Sequence, residues 1–583
     1  MSRTNITPGA FLGYFNGSTS NQIVSIKDVE ISQPIIFGIV RNFHYVIIEN
    51  VMFAKDVEFR SVGLGAGIKF INCEFQGEIK FDNVTAVGPP PDHLIDSHNL
   101  IFQACKINSS IKIFDSSLAR GITFTEQTKV EHLIFERLKC REGSILFDEV
   151  TVNKKLDIDD NRIRYIEFRK SKVSSGVRLW HNDADSISFI ESGFDKDIQI
   201  SNGSLNSIIF NNGEYKDDVN IKNVVLVENL TVYNDNFKRS LIYDFHKVSN
   251  PLKNIYIDNT QFGTALSVKG ANQSVKKITI ICSQGLVGTF QVKQCQIDHL
   301  VIKNDNHKGN IVFNDCDFAR IDFNSFTNYG NLIISSCKAI SGNSSQLNLI
   351  NSNLGKAQLY DFSFRSFTDL KIINSIFSEI ATLGIDWFND NQLSTSLHDT
   401  PNIKSIKNLQ SKREVYRQLK QASEKQGDRI QALEFQAREL QVFKDYLILK
   451  HKGWWNNDRL ILWLGQTNDF GLNWVKPLGW ALVLTTLFWF FIVIAATKEL
   501  SWFPATSSDD LWATWNAFTH CSTVWAQLFN PTRSLKQIFP EPSKVIPWHL
   551  DMNFGLSLLD GLHRIIISFF IFQIISAFRK YVK

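Results

Sequence analysis

Between about residue 30 and residue 390 the chain alternates apolar and polar positions in short segments. Apolar pairs with one residue between them begin at Leu100, Ile111, Ile122, Leu133, Ile145 and Leu156, and again from Val177 through Ile187, Ile198, Ile208, Val219 and Leu230, mostly in steps of 10 to 12 residues. Alternation with period two argues strand rather than helix. Two such segments in every 21 residues or so are the mark of a stacked solenoid, in which each coil lies on the one before. Cys295, Cys316 and Cys337 follow one another at intervals of 21 residues. A sandwich or barrel gives strands at similar spacing but does not hold one residue type to that register. The expected fold is therefore mainly β: a long parallel β-solenoid of about 21–22 residues per coil, roughly 16 coils and on the order of 75 Å long.

Within that frame the cysteines read as stacked rungs, small buried thiols at one corner of each coil. Close Cys/His pairs of the kind that hold zinc are missing from the pattern, so no metal and no cofactor are expected. Asn and Asp after the strands, as in "FNDCDF", "ISNGSL" and "VYNDNF", suit corners with left-handed backbone. The insert "AVGPPPDHLIDSHN" at 86–99 breaks the register and reads as a loop.

After residue 400 the period changes from two to that of a helix. "SKREVYRQLKQASEKQGDRIQALEFQARELQVFKDYLILK" reads as two helices broken at Gly427 and Asp428, with Ser411 and Glu414 as a capping box. Ile430, Leu433, Ala437, Leu440 and Leu447 mark the expected packing face of the second helix. Leu478–Thr497 then runs 20 residues without a charge, enough to span a bilayer core. A second run from Leu556 to Phe578 is expected to span as well, with Asp560, His563 and Arg564 near one end where they can snorkel or pair. Leu511–Phe529 lies between them, uncharged but dotted with polar residues, and either re-enters the bilayer or lies at its surface on Trp anchors. Lys and Arg flank both runs on their outer sides, so an even number of crossings is expected, with solenoid and C-terminus both cytoplasmic. The domains expected are a cap over 1–30, the solenoid over 31–400, a helical hairpin linker over 401–457 and a two-span module over 458–583.

Composition narrows the function classes. With 62 basic and 58 acidic residues in 583, no bulk field favours nucleic acid. Of the 13 Trp, 11 lie after residue 450, which implies a second environment for that region. No apolar stretch follows a basic start, so no secretory signal is expected and the eight cysteines read as reduced thiols. Clustered acids at Asp157, Asp159 and Asp160, and at His181, Asp183 and Asp185, are the candidates for acid/base chemistry on the rod. They read as solvated corner residues, and no enzyme activity is expected.

The tandem "FINCEFQGEIKF" and "VFNDCDFARIDF" resembles degenerate pentapeptide repeats, which form four-sided right-handed β-helices. "VYRQLKQASEKQGDRIQALEFQAREL", "LFNPTR" and "LHRIIISFFIFQIISAFRKY" resemble a bacterial family that joins such repeats to a two-span, ion-channel-like membrane module. The resemblance carries over Tyr416, Leu419, Gly427, Asp428, Phe435 and Glu439 in the linker, and Asn530, Pro531, Arg564, Phe578, Arg579 and Tyr581 in the membrane part. It implies a homo-oligomer in the bacterial inner membrane whose solenoid binds a cytoplasmic protein or ligand, and a use as a defence effector. A potassium filter needs a glycine-bearing strand, and no glycine follows Phe529 before Gly555, so potassium selectivity is not expected. Thr519, His520, Ser522, Thr523 and Gln573 are the candidate pore or membrane polar residues, with hydrogen bonding between helices as their alternative role. The alternative to a channel is a membrane-tethered scaffold that conducts nothing.

Overall fold

The structure is a computed structural model and describes residues 3–16, 23–38, 45–88, 98–245, 252–282, 286–342, 344–396, 406–450, 457–496, 512, 522–534 and 554–578. The chain divides into two compact units, Met1–Asn402 and Ile403–Lys583.

The first unit is a parallel β-solenoid of about 16 coils that ends near residue 394. Each pairing between coils is parallel: Val57 lies beside Ile79, Val177 beside Ile198 and Leu230 beside Ile255, so a coil takes 21, 22 or 25 residues. The repeating unit is half a coil. Left-handed residues recur about every 11 positions, for example Asn50, Ser61, Asn72 and Asn83, each with φ between 49° and 56°. Asn and Asp hold many of these corners because a short polar side chain tolerates that backbone best after glycine. A strand of four residues precedes many corners and one of two residues follows, as in Ile68–Ile71 and Glu74–Phe75 around Asn72.

The residue after most corners points inward and explains the cysteines. Cys337 Sγ donates to the carbonyl of Ser335 at 3.1 Å and accepts from the Cys316 amide, one coil earlier, at 3.4 Å. Ser171 does the same, donating to Arg169 O at 2.8 Å and accepting from Val150 N at 3.1 Å. Thr128, Ser352, Asn161 and Asn182 hold equivalent places and accept from the coil before them. The position is thus a relay that satisfies buried backbone groups between coils, as well as the small apolar slot expected from the sequence. Cys295, Cys316 and Cys337 are all buried and free, and so are the other described cysteines. Replacing Cys337 with serine is expected to cost less than about 1 kcal/mol, because the hydroxyl makes the same two bonds. A purely apolar slot would make the same change cost more than about 2 kcal/mol in chemical denaturation, the penalty for a buried unpaired hydroxyl.

Phenylalanine fills the interior in ladders. Phe70, Phe102, Phe124, Phe147, Phe168, Phe189 and Phe210 stack ring on ring with centroids 4.6 to 5.4 Å apart. A helix α1, Pro8–Asn16, lays Phe11 and Phe15 on Phe37 and Phe53 at the start of the stack. The insert at 86–99 widens one step, pairing Ile79 with Ile111. Its residues 89–97 lie outside the described ones, while Asn99 is buried in the solenoid and donates to Ala66 O at 2.8 Å.

The second unit is helical: α2 (Ile406–Lys425), α3 (Arg429–Lys450), α4 (Asn457–Gln466), α5 (Val475–Ala496), the short α6 (Ser522–Leu528) and α7 (Phe554–Phe578). Gly427, at φ 78°, turns the chain between α2 and α3, and Asp428 Oδ1 caps α3 by accepting from Gln431 N at 3.0 Å. Tyr416, Leu419 and Phe435 are buried, and Glu439 is buried beside Arg413 at 3.5 Å. One local reading fails and another holds in part. Helix α2 already begins at Ile406, so Ser411 and Glu414 lie inside it and Glu414 pairs with Arg417 at 2.8 Å instead of capping. The inward face of α3 runs through Ala432, Phe435, Ala437, Glu439, Val442, Tyr446 and Leu447, so Ala437 and Leu447 lie on the expected face, while Leu433 and Leu440 are half-buried and Ile430 is exposed. Aromatic bulk at Phe435 and Tyr446 shares that face with Ala437 and Leu447, so the aliphatic positions alone trace it only in part.

Candidate functional site

Helices α5 and α7 are antiparallel. Trp474, just before α5, stacks on Phe578 at the end of α7 with centroids 5.2 Å apart, and Asn468 Nδ2 donates to Gln573 O at 3.2 Å. Farther along, His563 of α7 meets Thr485 and Phe488 of α5. Both helices are long and apolar enough to cross a membrane, and only 22% and 28% of their apolar windows are buried. Leu482, Val483, Leu487 and Phe491 on one, with Leu558, Leu562, Ile565, Phe572 and Ile575 on the other, stand exposed.

A cluster of charged groups is buried against this pair. Asp560 Oδ1 accepts from Arg533 Nη2 at 2.7 Å, and its Oδ2 from Arg564 Nη2 at 2.5 Å. Arg533 Nη2 also donates to His563 Nδ1 at 3.0 Å. Since a guanidinium only donates, Nδ1 is the acceptor nitrogen, Nε2 carries the proton, and it donates to Thr485 Oγ1 at 3.2 Å. Arg533, Asp560, His563 and Thr485 are each no more than 4% exposed. By residue count along α5 and α7 the cluster lies about 16–27 Å from the Trp474–Phe578 end.

Arg533 arrives there on a chain reversal. In α6, Trp525 Nε1 donates to Thr486 Oγ1 at 3.1 Å. Phe529 then packs on Ala481, Ile567 and Phe570, nearer the Trp474 end. Asn530 turns the chain by accepting from Thr532 N and Oγ1 at 3.0 and 2.8 Å. The Arg533 guanidinium comes back to cap α6, donating to the carbonyls of Leu528 and Asn530 at 2.8 and 3.1 Å. One side chain therefore closes the helix end and pairs with Asp560.

The residues expected from the sequence to be polar in the membrane are placed less centrally. Gln573 is buried within the chain near the Trp474 end. Ser522 is exposed at the start of α6, and Thr523 lies in the same helix. Thr519 and His520 lie outside the described residues. Arg533 and Thr485 were not singled out from the sequence. The available signal was "NPTR", a charge one turn beyond an apolar helix, followed by "DGLHR" in the next apolar run.

On the solenoid, Asp159 Oδ1 accepts from His181 Nδ1 at 3.0 Å, and Asp183 and Asp185 lie 3.9 and 3.6 Å from Arg162 and Arg164 of the neighbouring coil. Among the described residues no group of three or more His, Cys, Asp and Glu is placed to hold a metal. Compared with known proteins, the chain matches no family model, no curated protein and no solved structure.

Proposed function

We propose that the protein is an integral membrane protein in which α5 and α7 cross the bilayer and residues 522–534 re-enter it between them. The observation that carries this is the reversal held by Arg533 and Asp560 against two apolar helices. In a hydrocarbon core about 30 Å thick, a cluster about 16–27 Å from one end lies inside it. Irregular backbone at such depth is tolerated only where protein or a water-filled cavity satisfies it, which is what the Arg533 cap does for Leu528 and Asn530. The solenoid is then the cytoplasmic rod that binds a protein or ligand, with no nucleic acid, cofactor or catalysis involved. The resemblance of 411–583 to channel-like modules on pentapeptide-like repeats points the same way. It suggests a homo-oligomer in a bacterial inner membrane that permeabilises it as a defence effector. Oligomerisation is required, because two helices cannot enclose a conduit.

The second reading, a tethered scaffold that conducts nothing, is favoured by the burial of Gln573 and of the charge cluster within one chain. Recording from full-length protein in planar bilayers separates the two. A channel gives discrete currents that vanish in Asp560→Ala; silence at every voltage, with the protein shown to be inserted, leaves the scaffold.

A further inference from the structure

The cluster has more positive charge than negative, and two of its donors lack acceptors. Asp560 uses one oxygen for Arg533 and the other for Arg564. His563, accepting at Nδ1, is neutral in this arrangement. Two guanidinium groups against one carboxylate leave one net positive charge among the described residues. The Nε atoms of both Arg533 and Arg564 are buried and have no hydrogen-bond partner. Arg533 is 4% exposed, so its orphan donor is enclosed. An unpaired buried donor and an uncompensated buried charge are each destabilising, and both guanidinium groups share the one carboxylate of Asp560.

We propose that Arg533 and Arg564 hold a small monovalent anion of the halide class beside Asp560. The charge excess of one sets the valence, and the burial of both Nε atoms favours a small ion over a polyatomic headgroup. The Arg564 side chain is 34% exposed, which gives the ion a way in past its guanidinium. The site does not depend on conduction, since an anchored scaffold has the same unbalanced charge to settle.

The test uses full-length protein in phosphate-free, lipid-free detergent, with chloride replacing glutamate at constant ionic strength. Wild type is expected to unfold at a higher temperature in chloride, to broaden the chlorine-35 resonance saturably, and to release the ion to bromide. Arg564→Gln keeps the Arg533–Asp560 pair and removes the excess charge, so both responses should disappear. Arg564→Lys keeps the charge without the Nε donor and is expected to weaken chloride about tenfold. If Arg564→Gln does not fold, the Lys variant decides. Equal unfolding temperatures in the two salts without broadening overturn the site and leave water or protein on the two donors. Unchanged broadening in the variants overturns it as well, since the chloride then binds elsewhere.

Discussion

Replacing Asp560 with alanine is expected to destabilise the helical unit by about 3–5 kcal/mol, the cost of breaking a buried ion pair from one side. That corresponds to a fall in unfolding temperature on the order of 10 °C. The effect is large because the carboxylate is 2% exposed and serves two cations at once. Exposed pairs such as Lys253–Glu228 or Arg162–Asp183 are screened by water and lose little when cut. Removing Asp560 also frees Arg533, which holds the carbonyls of Leu528 and Asn530, so α6 and its turn should detach with it. A companion variant, Arg533→Met with Asp560→Leu, deletes both charges of the central pair but also the cap on Leu528 and Asn530 and the carboxylate beside Arg564, so it should recover only part of the loss. Thermal unfolding in detergent, with limited proteolysis of residues 522–534, reads both changes. An Asp560→Ala protein that unfolds like wild type and stays resistant would mean that the cluster does not hold the reversal.

What could be read in advance follows from how far apart the partners lie. Stacking like on like writes the solenoid into the sequence as a short period, and the thiols of Cys295, Cys316 and Cys337 mark the coil because each bonds to residues next to it or one coil away. The half-coil unit was visible as steps of 10 to 12 residues between apolar pairs. The left-handed corners at Asn50, Asn72 and Asn83 show why that step is the natural one. The phenylalanine ladder through Phe147 and Phe168 is a stricter record of register, yet a count of 46 Phe does not say which rings meet. Helix α2 shows a different failure. Its capping box at Ser411 and Glu414 is a local signal that further helical residues upstream overrode. Arg533 was illegible for a third reason: its partners, Leu528 O, Asp560 and His563, come from two separate segments, and nothing local announces that they meet.

Inside the solenoid, stability is expected to fall as pH rises from about 4 to 8, because of one residue. Asp235 follows the corner at Asn234 and takes the relay position filled elsewhere by Ser171 or Cys337, but its side chain is an acid. It is 2% exposed and accepts from Gly213 N at 2.7 Å and Tyr233 N at 3.1 Å. Burial pushes its pKa from the ordinary 3.8 up to about 8, against the pull of those two amides. A folded-state value above the unfolded one means that the native protein holds a proton the unfolded chain has released. The contribution is whole below the unfolded value and is lost as pH climbs through the folded one, by about 1 kcal/mol per pH unit. Acids bound to cations act oppositely: Glu58 beside Arg60, Asp115 beside Arg137 and Asp195 beside Lys216 are held low and lose their contribution only as pH falls below the ordinary acid range. Of these four acids only Asp235 titrates between pH 5 and 8. Asp235→Ser, which restores the residue used at Ser171 and Ser192, should flatten urea stability across that interval and exceed wild type at pH 8. If the two proteins keep parallel pH profiles, the buried carboxyl is not the group that titrates, and the relay position tolerates its charge.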